Sequence, residues 1–304
     1  MNAKPPLPAR PDILCIGSVL WDIIGRSHLA MRQGSDVPGR ITRLPGGVAM
    51  NIAMTLARFG LRPAVLTAIG RDDEGDELVA ACGRLGVETG FAYRSEDLPT
   101  DRYMAVEGAN GLIAAVADAH SLEAAGDKIL RPLADGSLGS GAAPWGGAIA
   151  LDGNLTAALL AEIARSPLFA AADLRVAPAS PGKAERLLPL LGHAGAVLYV
   201  NLEEAGLLAK VEFPDAVAAA EGLLARGAGR VLVTDGGRTC AEGSRGLGVI
   251  SGVPPKVMVA RVTGAGDTFM AAHIVAEKRG AGREDALQAA IRAAAVYVGG
   301  EVPA

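Results

Sequence analysis

Short, continuously apolar runs alternate along the chain with longer segments whose apolar residues recur every three or four positions. The runs at 197–200 (VLYV) and 231–233 (VLV) are apolar at every position, which is typical of strands buried on both faces. Segment 48–59 instead repeats its apolar residues at helical spacing and ends at a glycine. Strands that alternate with helices of about ten residues predict an α/β fold, in which helices flank a doubly wound, mostly parallel sheet.

The same patterns predict where the individual elements lie. The strands are expected at 13–16, 63–69, 148–151, 171–176, 197–200 and 230–233. The helices are expected at 48–59, 75–85, 156–165, 183–191, 215–226, 267–278 and 283–298.

A hairpin interrupts this alternation. Two apolar segments flank Asn110 and Gly111, and an Asn-Gly pair supplies the positive φ angles that a tight hairpin turn requires. A small sheet beside the ligand edge of an α/β domain is a candidate lid. We expect residues 1–304 to form a single domain, with a lid made of about 24–45 and 101–119.

Composition and charge narrow the classes of partner. Hydrophobic residues make up 50% of the chain, enough to fill a large core. The 29 Lys and Arg against 33 Asp and Glu leave a formal net charge of −4, and only 4% of residues are aromatic, so we expect no nucleic-acid partner. No apolar run reaches the roughly 18 residues of a membrane span, and the Pro-rich start lacks the apolar core of a signal peptide. The sequence therefore predicts a cytoplasmic protein without a membrane partner.

Several common catalytic motifs are absent from the sequence. The three cysteines and four histidines show no metal-binding spacing. The chain has no G-x-x-x-x-G-K-[ST] motif, no G-x-S-x-G elbow, and no G-x-G-x-x-G after the first strand. These absences disfavour a P-loop nucleotide site, an α/β-hydrolase and a nicotinamide dinucleotide site.

The strongest candidate for chemistry is TGAGDTF at 263–269, which opens a predicted helix. Backbone N–H groups of Gly264, Ala265 and Gly266 at a helix N-terminus would bind an anion, phosphate above all. Asp267 beside such an anion hole would accept a proton from a hydroxyl while the N–H groups stabilise a transferring phosphoryl group. An ordinary capped helix with Asp in its first turn has the same pattern, so both interpretations stay open on these residues alone.

Two further features suggest a sugar site. Gly46 and Gly47 would let the backbone approach a ligand closely. Asn51, one helical turn later, can exchange hydrogen bonds with a sugar hydroxyl, and Asp22, just beyond the first strand, can accept from both hydroxyls of a diol. A plain loop-to-helix junction and a solvated loop Asp are the alternatives.

Together, GGVAMN at 46–51 and TGAGDTF at 263–269 resemble the signatures of the ribokinase-like (PfkB) family of carbohydrate and nucleoside kinases. The resemblance extends from about 13 to 298. It implies a doubly wound α/β domain with a β lid, ATP and Mg²⁺ as cofactors, and Asp267 as the catalytic base. It also implies an anion hole and a set of sugar contacts: Gly264, Ala265 and Gly266 for the hole, and Asp22, Gly46, Gly47 and Asn51 for the sugar.

The resemblance also implies nucleotide contacts. NLEE at 201–204 resembles the N-x-x-E element of the family, which would place Asn201 and Glu204 near the phosphates and the water shell of Mg²⁺. TDGG at 234–237 resembles the nucleotide loop. The implied cofactor contacts are Asn201, Glu204, Thr234, Gly236, Gly237 and Thr263.

One position departs from the family pattern. Many members carry Asp or Asn two positions before the Thr of the rear motif, in a monovalent-cation loop, where this chain has Arg261. K⁺ as a cofactor therefore remains open, since backbone carbonyls alone would have to hold it.

Local similarity favours one branch of the family, the pseudouridine kinases. It is carried by 100–103 (TDRY), 151–155 (LDGNL) and 178–184 (PASPGKA). The resemblance implies transfer of the γ-phosphoryl of ATP to the ribose 5′-hydroxyl, with Asp22 holding the 2′ and 3′ hydroxyls. Thr100 or Asp118 would reach the nucleobase, and Lys183 would contact phosphate or the pocket on the nucleobase side.

Two other functions remain as alternatives. One is another kinase of this family acting on ribose, adenosine or 2-keto-3-deoxygluconate, and the other is a non-catalytic sugar- or nucleoside-binding protein. Asp267 speaks against the second, because a pure binder needs no base in an anion hole. Since a hairpin lid has unpaired edges that often pair across a two-fold axis, we also expect a homodimer through the lid.

Overall fold

The computed structural model describes residues 10–303. Its strands are β1 Ile13–Ile16, β2 Leu20–Arg26, β3 Arg40–Gly46, β4 Pro63–Leu66, β5 Ala68–Gly70, β6 Tyr93–Ser95, β7 Arg102–Gly108, β8 Gly111–Asp118, β9 Ala148–Asp152, β10 Asp173–Ala177, β11 Ala196–Asn201, β12 Arg230–Thr234, β13 Cys240–Ser244 and β14 Gly248–Gly252. Its α-helices are α1 Val48–Arg58, α2 Asp73–Arg84, α3 His120–Ala125, α4 Ala157–Ile163, α5 Leu188–Leu191, α6 Leu202–Ala209, α7 Ala216–Ala225, α8 Ala265–Lys278 and α9 Arg283–Val298. Short 3₁₀ helices cover Gly126–Leu133, Pro167–Phe169 and Pro181–Leu187.

The main sheet has eight strands in the order β14-β13-β12-β11-β10-β9-β1-β4. The six strands from β12 to β4 in this order are parallel, and β13 and β14 add an antiparallel edge. Successive residues of β1 enter different cores: Leu14 and Ile16 belong to the cluster that includes residues of α4 and α7, whereas Ile13 and Cys15 belong to the cluster that includes residues of α1 and α8. Helices thus cover both faces, and the predicted α/β fold with a mostly parallel sheet is confirmed.

A second sheet of four strands stands apart from the main one, in the order β3-β2-β7-β8. β2 pairs in parallel with β7, and the other two pairs are antiparallel. Its strands overlap the segments in which we expected the lid, but β2 begins at Leu20 and so includes Asp22. We expected Asp22 in a loop after the first strand, whereas it lies within this second sheet, which we name the lid sheet.

Three local predictions differ from the structure. The strand predicted at 63–69 is broken at Thr67, because β4 joins the main sheet and β5 pairs instead with β6. The helix predicted at 183–191 is a 3₁₀ segment followed by the short helix α5. The strands β13 and β14 were not predicted, because β13 (CAEGS) lacks an apolar run although all five of its residues are buried.

A buried network of charged side chains holds α8 and α9 against the sheet. Glu242 of β13 is fully buried and accepts hydrogen bonds from Arg230 Nε at 2.8 Å and Arg283 Nε at 2.9 Å. Burial by itself would raise the pKa of Glu242, but His273, whose Nε2 lies 3.9 Å away, and the hydrogen bonds from Arg230 and Arg283 outweigh it and lower the pKa to about 2. Glu277 of α8 continues the network, as it accepts from Arg230 Nη1 at 2.5 Å. A glutamate inside a strand is therefore compatible with burial here.

No helix in residues 10–303 is both long enough and apolar enough to cross a membrane.

Replacing Glu242 with Gln is expected to lower the free energy of unfolding by about 3 kcal/mol, because Arg283 loses its charged partner and Arg230 retains only Glu277. Urea denaturation followed by circular dichroism measures the change. The matched control is Glu96→Gln, whose ion pair with Arg71 is exposed on both sides and 3.8 Å long. That change is expected to cost less than about 1 kcal/mol, and an equal effect of both variants would contradict the role of the network.

Candidate active site

The candidate site lies where parallel strands of the main sheet end, and it combines the predicted Asn201 and Thr234 with Ser18 and Asp152, which sequence analysis did not assign. Ser18 follows β1, Asp152 ends β9, Asn201 ends β11, and Thr234 ends β12. Because the carboxyl ends of parallel strands meet at one edge of a sheet, these residues line a common cleft. The N-termini of α1 and α8 reach the same edge, and their motifs supply the remaining groups.

A hydrogen bond joins the two motifs that are farthest apart in sequence. Asn51 Nδ2 in the first turn of α1 donates to Asp267 Oδ2 in the first turn of α8 at 3.0 Å, across a separation of 216 residues. The bond places the predicted sugar-binding amide against the predicted catalytic carboxylate. It also leaves Asp267 Oδ1 to contact a ligand.

The turn before α8 needs glycine at one position. Gly264 has φ +87°, and a Cβ there would lie 2.6 Å from the Tyr297 hydroxyl oxygen. Ala265 donates its N–H to the Val262 carbonyl at 3.0 Å, so this predicted anion-hole donor is already engaged. The open donors of the turn are the N–H groups of Gly266 and Asp267, which a helix leaves without an intrahelical acceptor.

Burial and like charge make the cleft a favourable place for a base. Burial raises the pKa of Asp267 to about 7, against the opposing hydrogen bond from Asn51, and the charges of Asp152, Glu204 and Asp22 act in the same direction as burial. Burial likewise raises the pKa of Glu204 to about 7 and that of Asp22 to about 6. Four carboxylates therefore influence one another here, and a bound cation or hydroxyl donors would relieve their repulsion.

The glycine pair before α1 is required by the protein itself. A Cβ at Gly46 would overlap the carboxylate of Asp22. Gly47 has φ +93°, and a Cβ there would lie 2.5 Å from the Ser18 carbonyl oxygen. We expected these glycines to make room for a ligand, and in the structure Gly46 makes room for the Asp22 carboxylate and Gly47 for the loop after β1.

A polar network that sequence reasoning did not assign to the site surrounds Asp152. This fully buried carboxylate accepts from the Ser18 backbone N–H at 2.8 Å and from the Ser18 hydroxyl at 2.5 Å. Asn154 Nδ2 donates to Ser18 Oγ at 3.0 Å, and Lys183 Nζ donates to Asn154 Oδ1 at 2.6 Å. The network thus brings Lys183 to the edge of the cleft. The available signal was the position of 151–155 directly after a central strand.

Asn201 and Glu204 cap α6 through each other. Asn201 Oδ1 accepts from the Glu204 N–H, and Glu204 Oε2 accepts from the Asn201 N–H, both at 2.8 Å. Glu204 Oε1 accepts no hydrogen bond from residues 10–303, so it is free to contact a water molecule. Within that range no group of three or more His, Cys, Asp or Glu side chains could enclose a metal ion. The donor set therefore fits Mg²⁺ held through its water shell and not a protein cage.

The predicted nucleotide loop follows β12. Thr234 ends the strand, and the turn after it uses Gly236 at φ +56° and Gly237. Thr263 is exposed beside the start of α8. An exposed turn at the carboxyl end of a parallel strand is a suitable place for a nucleotide.

Thr100 is not available to a substrate in this arrangement. Its hydroxyl donates to Asp72 Oδ1 at 2.5 Å and its N–H donates to Asp72 Oδ2 at 2.8 Å. Asp72 in turn caps α2 by accepting from the Gly75 N–H. With only 1% of its surface exposed, Thr100 fixes the start of α2 and does not reach the cleft.

Asp118 lies on the other side of the lid sheet from Asp22. Asp118 is paired in register with Arg102, and Arg102 with Trp21. Residues directly opposite each other share a face, whereas neighbours along one strand point to opposite faces. Asp118 therefore shares the face of Trp21, and Asp22 faces the other way, so the two carboxylates do not meet over one ligand.

Comparison with known proteins agrees with this geometry. The model of the pfkB family carbohydrate kinases matches residues 10–301. Pseudouridine kinase of Escherichia coli is 37% identical over 75 residues, which are 25% of this chain and 24% of that protein. The crystal structure of a carbohydrate kinase from Agrobacterium tumefaciens is 26% identical, has a TM-score of 0.76, and is matched over 93% of this chain and 89% of that one. Ribokinase from Thermotoga maritima is 23% identical with a TM-score of 0.75, over 95% of this chain and 93% of that one, and so shares the fold.

The reach of these similarities differs. The alignment with the pseudouridine kinase spans about a quarter of that relative, so it does not establish a substrate. The family model, in contrast, spans nearly the whole chain. The family's name describes kinases whose substrates are carbohydrates. The chain belongs to the pfkB family of carbohydrate kinases, with a ribokinase-like fold.

Proposed function

We propose that this protein phosphorylates the 5′-hydroxyl of pseudouridine with ATP. The observation that carries the proposal is the hydrogen bond between Asn51 and Asp267, which sets a sugar-binding amide beside a base at an anion-binding helix terminus. The choice of nucleoside rests on the similarity of part of the chain to the pseudouridine kinase of Escherichia coli.

The chain's own groups divide the work of phosphoryl transfer. Asp22 accepts hydrogen bonds from the 2′ and 3′ hydroxyls, and Asn51 orients the sugar. Asp267 accepts the proton of the 5′-hydroxyl as that oxygen attacks phosphorus. The N–H groups of Gly266 and Asp267 stabilise the negative charge on the transferring phosphoryl group. Glu204, with Asn201, would hold Mg²⁺ through water, and the ion supplies charge neutralisation at the ATP phosphates.

The nucleobase of the substrate would lie between the lid sheet and the network around Asp152. Tyr103 is paired in register with Asp22, so its ring shares the face that carries the sugar-binding carboxylate. Lys183 approaches from the other side through Asn154. Trp21 does not offer its ring, because Arg43 covers it at 4.1 Å and its indole N–H donates to the Glu74 carbonyl. We therefore assign the contacts to the nucleobase to Tyr103 and Lys183, in place of Thr100 and Asp118.

The proposed compartment is the cytoplasm. Cys15, Cys82 and Cys240 are all free and buried, which fits a chain that folds in a reducing environment.

The substrate is tested by coupled ADP release with ATP and Mg²⁺, offering pseudouridine, uridine, adenosine, ribose and 2-keto-3-deoxygluconate in parallel. Turnover confined to pseudouridine is expected. Turnover with a different sugar or nucleoside would support the proposed site but show that pseudouridine is not the substrate. Tight binding of a nucleoside without any turnover would instead favour a non-catalytic binding protein.

Removing the base is expected to stop turnover without removing binding. Asp267→Asn should lower kcat by about 10²–10⁴-fold, because the amide cannot accept the proton, while MgADP affinity stays within a few-fold. The wild-type kcat/KM should also fall about tenfold per pH unit below about pH 7, since the raised pKa protonates Asp267 there.

Steady-state kinetics and calorimetric MgADP titration check both parts. Asp285→Asn is the matched control, because Asp285 is an exposed aspartate in the first turn of α9. It should leave kcat unchanged. Full turnover of the Asp267→Asn variant, or a wild-type pH profile flat down to pH 5, would rule out this base.

We further propose that the lid sheet closes over the substrate and joins two chains in a homodimer. Its edge strands β3 and β8 carry the exposed Ile41 (77%), Leu112 (60%) and Val116 (60%), apolar side chains beside unpaired strand edges of the kind that pair with a second chain. Light scattering should give twice the mass of one chain. Leu112→Glu should shift the mass toward one chain, whereas Leu247→Glu, at an equally exposed hairpin outside the lid sheet, should not. A wild-type monomer at micromolar concentration would contradict the dimer.

A further inference from the structure

Arg261 bridges the loop before α8 and the end of α9. Its Nε donates to the Tyr297 carbonyl at 2.9 Å, and its Nη2 donates to the Glu301 carbonyl at 2.6 Å. The guanidinium also stacks on the ring of Tyr297, 3.9 Å from the ring centre. The side chain is thus held by two hydrogen bonds and one aromatic face, although it lies at the surface.

Tyr297, which Arg261 holds in place, also contacts the turn that precedes the proposed catalytic base Asp267. Its hydroxyl donates to the Thr263 carbonyl at 2.9 Å. The same hydroxyl lies where a Cβ of Gly264 would be, so the turn is packed directly on the tyrosine. The backbone N–H groups of Ala260 and Arg261 both donate to the Val298 carbonyl, at 2.9 and 3.2 Å. The segment that begins the anion hole is therefore tied to α9 from both sides.

The charge of Arg261 suits its position. Carbonyl oxygens at the C-terminus of a helix carry partial negative charge, and a cation beside them is favourable. The planar guanidinium bonds the Tyr297 carbonyl in the last turn of α9 and the Glu301 carbonyl just beyond the helix, and it stacks on an aromatic face, which a lysine ammonium does not do.

We infer that Arg261 is a positioning residue for phosphoryl transfer that holds the Thr263–Gly266 turn through Tyr297. It touches neither substrate, and it acts by fixing where the N–H groups of Gly266 and Asp267 point. The inference rests on the proposed phosphoryl transfer only for its effect on rate.

Amide hydrogen exchange tests the brace itself, independently of activity. In Arg261→Gln the amides of 263–267 should exchange about tenfold faster or more, because a charge-assisted contact to the turn is lost. Arg279→Gln is the matched control, since Arg279 Nη2 also donates to a carbonyl at the end of a helix, that of Phe59 at 2.7 Å, far from the turn. Unchanged exchange at 263–267 in Arg261→Gln, or an equal increase in both variants, would overturn the brace.

A second, milder variant keeps the test informative if Arg261→Gln does not fold. Tyr297→Phe keeps the ring under Arg261 and removes only the hydroxyl that binds the Thr263 carbonyl. It should also speed exchange at 263–267, and a lack of change there would overturn the link through Tyr297.

Kinetics test the effect on the reaction. In Arg261→Gln, kcat should fall about 10²-fold while the KM for the acceptor stays within a few-fold, as expected for displaced transition-state donors. Arg261→Lys should restore less than a tenth of the lost rate, and full restoration would show that charge alone suffices. If wild-type protein phosphorylates no acceptor, the proposed function fails, and the exchange experiment still decides the brace.

Discussion

The hydrogen bond from Asn51 to Asp267 joins the first turns of α1 and α8, and the rest of the site is arranged around it. Both helices pack on the same face of the main sheet, so the bond forms only when each is seated. It holds a carboxylate with a pKa of about 7 at the positive end of a helix dipole. A site that transfers a phosphoryl group needs this combination of a base and N–H donors, which the second motif supplies and Asn51 of the first motif positions.

The position of α8 is determined at both of its ends. Near its C-terminus, Glu277 pairs with Arg175 and Arg230, which extend from β10 and β12, the strands on either side of β11. At its N-terminus, Gly264 lies against the Tyr297 hydroxyl and Arg261 clamps the end of α9. Burial of so many charges is costly unless each is paired, so this network tolerates little displacement of the helix. A rigid α8 gives the N–H groups of its first turn a fixed direction.

The lid sheet contributes to the site through one face only. Asp22 and Tyr103 share that face, whereas Trp21, Arg102 and Asp118 share the other. Glu74, in the first turn of α2, accepts the indole N–H of Trp21 at its carbonyl and pairs with Arg102 through its carboxylate, so the second face is bound to the main domain. This division explains why Asp118, at the end of the hairpin, faces away from the side of the lid sheet that carries Asp22.

The sequence by itself determined the kind of fold, the family and the pair of motifs that carry Asn51 and Asp267, because those properties depend on local patterns of apolar residues and on short contiguous motifs. It did not reveal β13, the Asp152 network or the task of Thr100, since each depends on partners far along the chain. A buried Glu242 is stable only beside Arg230 and Arg283. The residues next to Glu242 in sequence do not indicate that these two arginines pack against it. Which face a lid residue presents, and whether Arg261 meets solvent or carbonyl oxygens, were decided by the tertiary structure alone, because strand register and helix packing bring together groups that the sequence keeps apart.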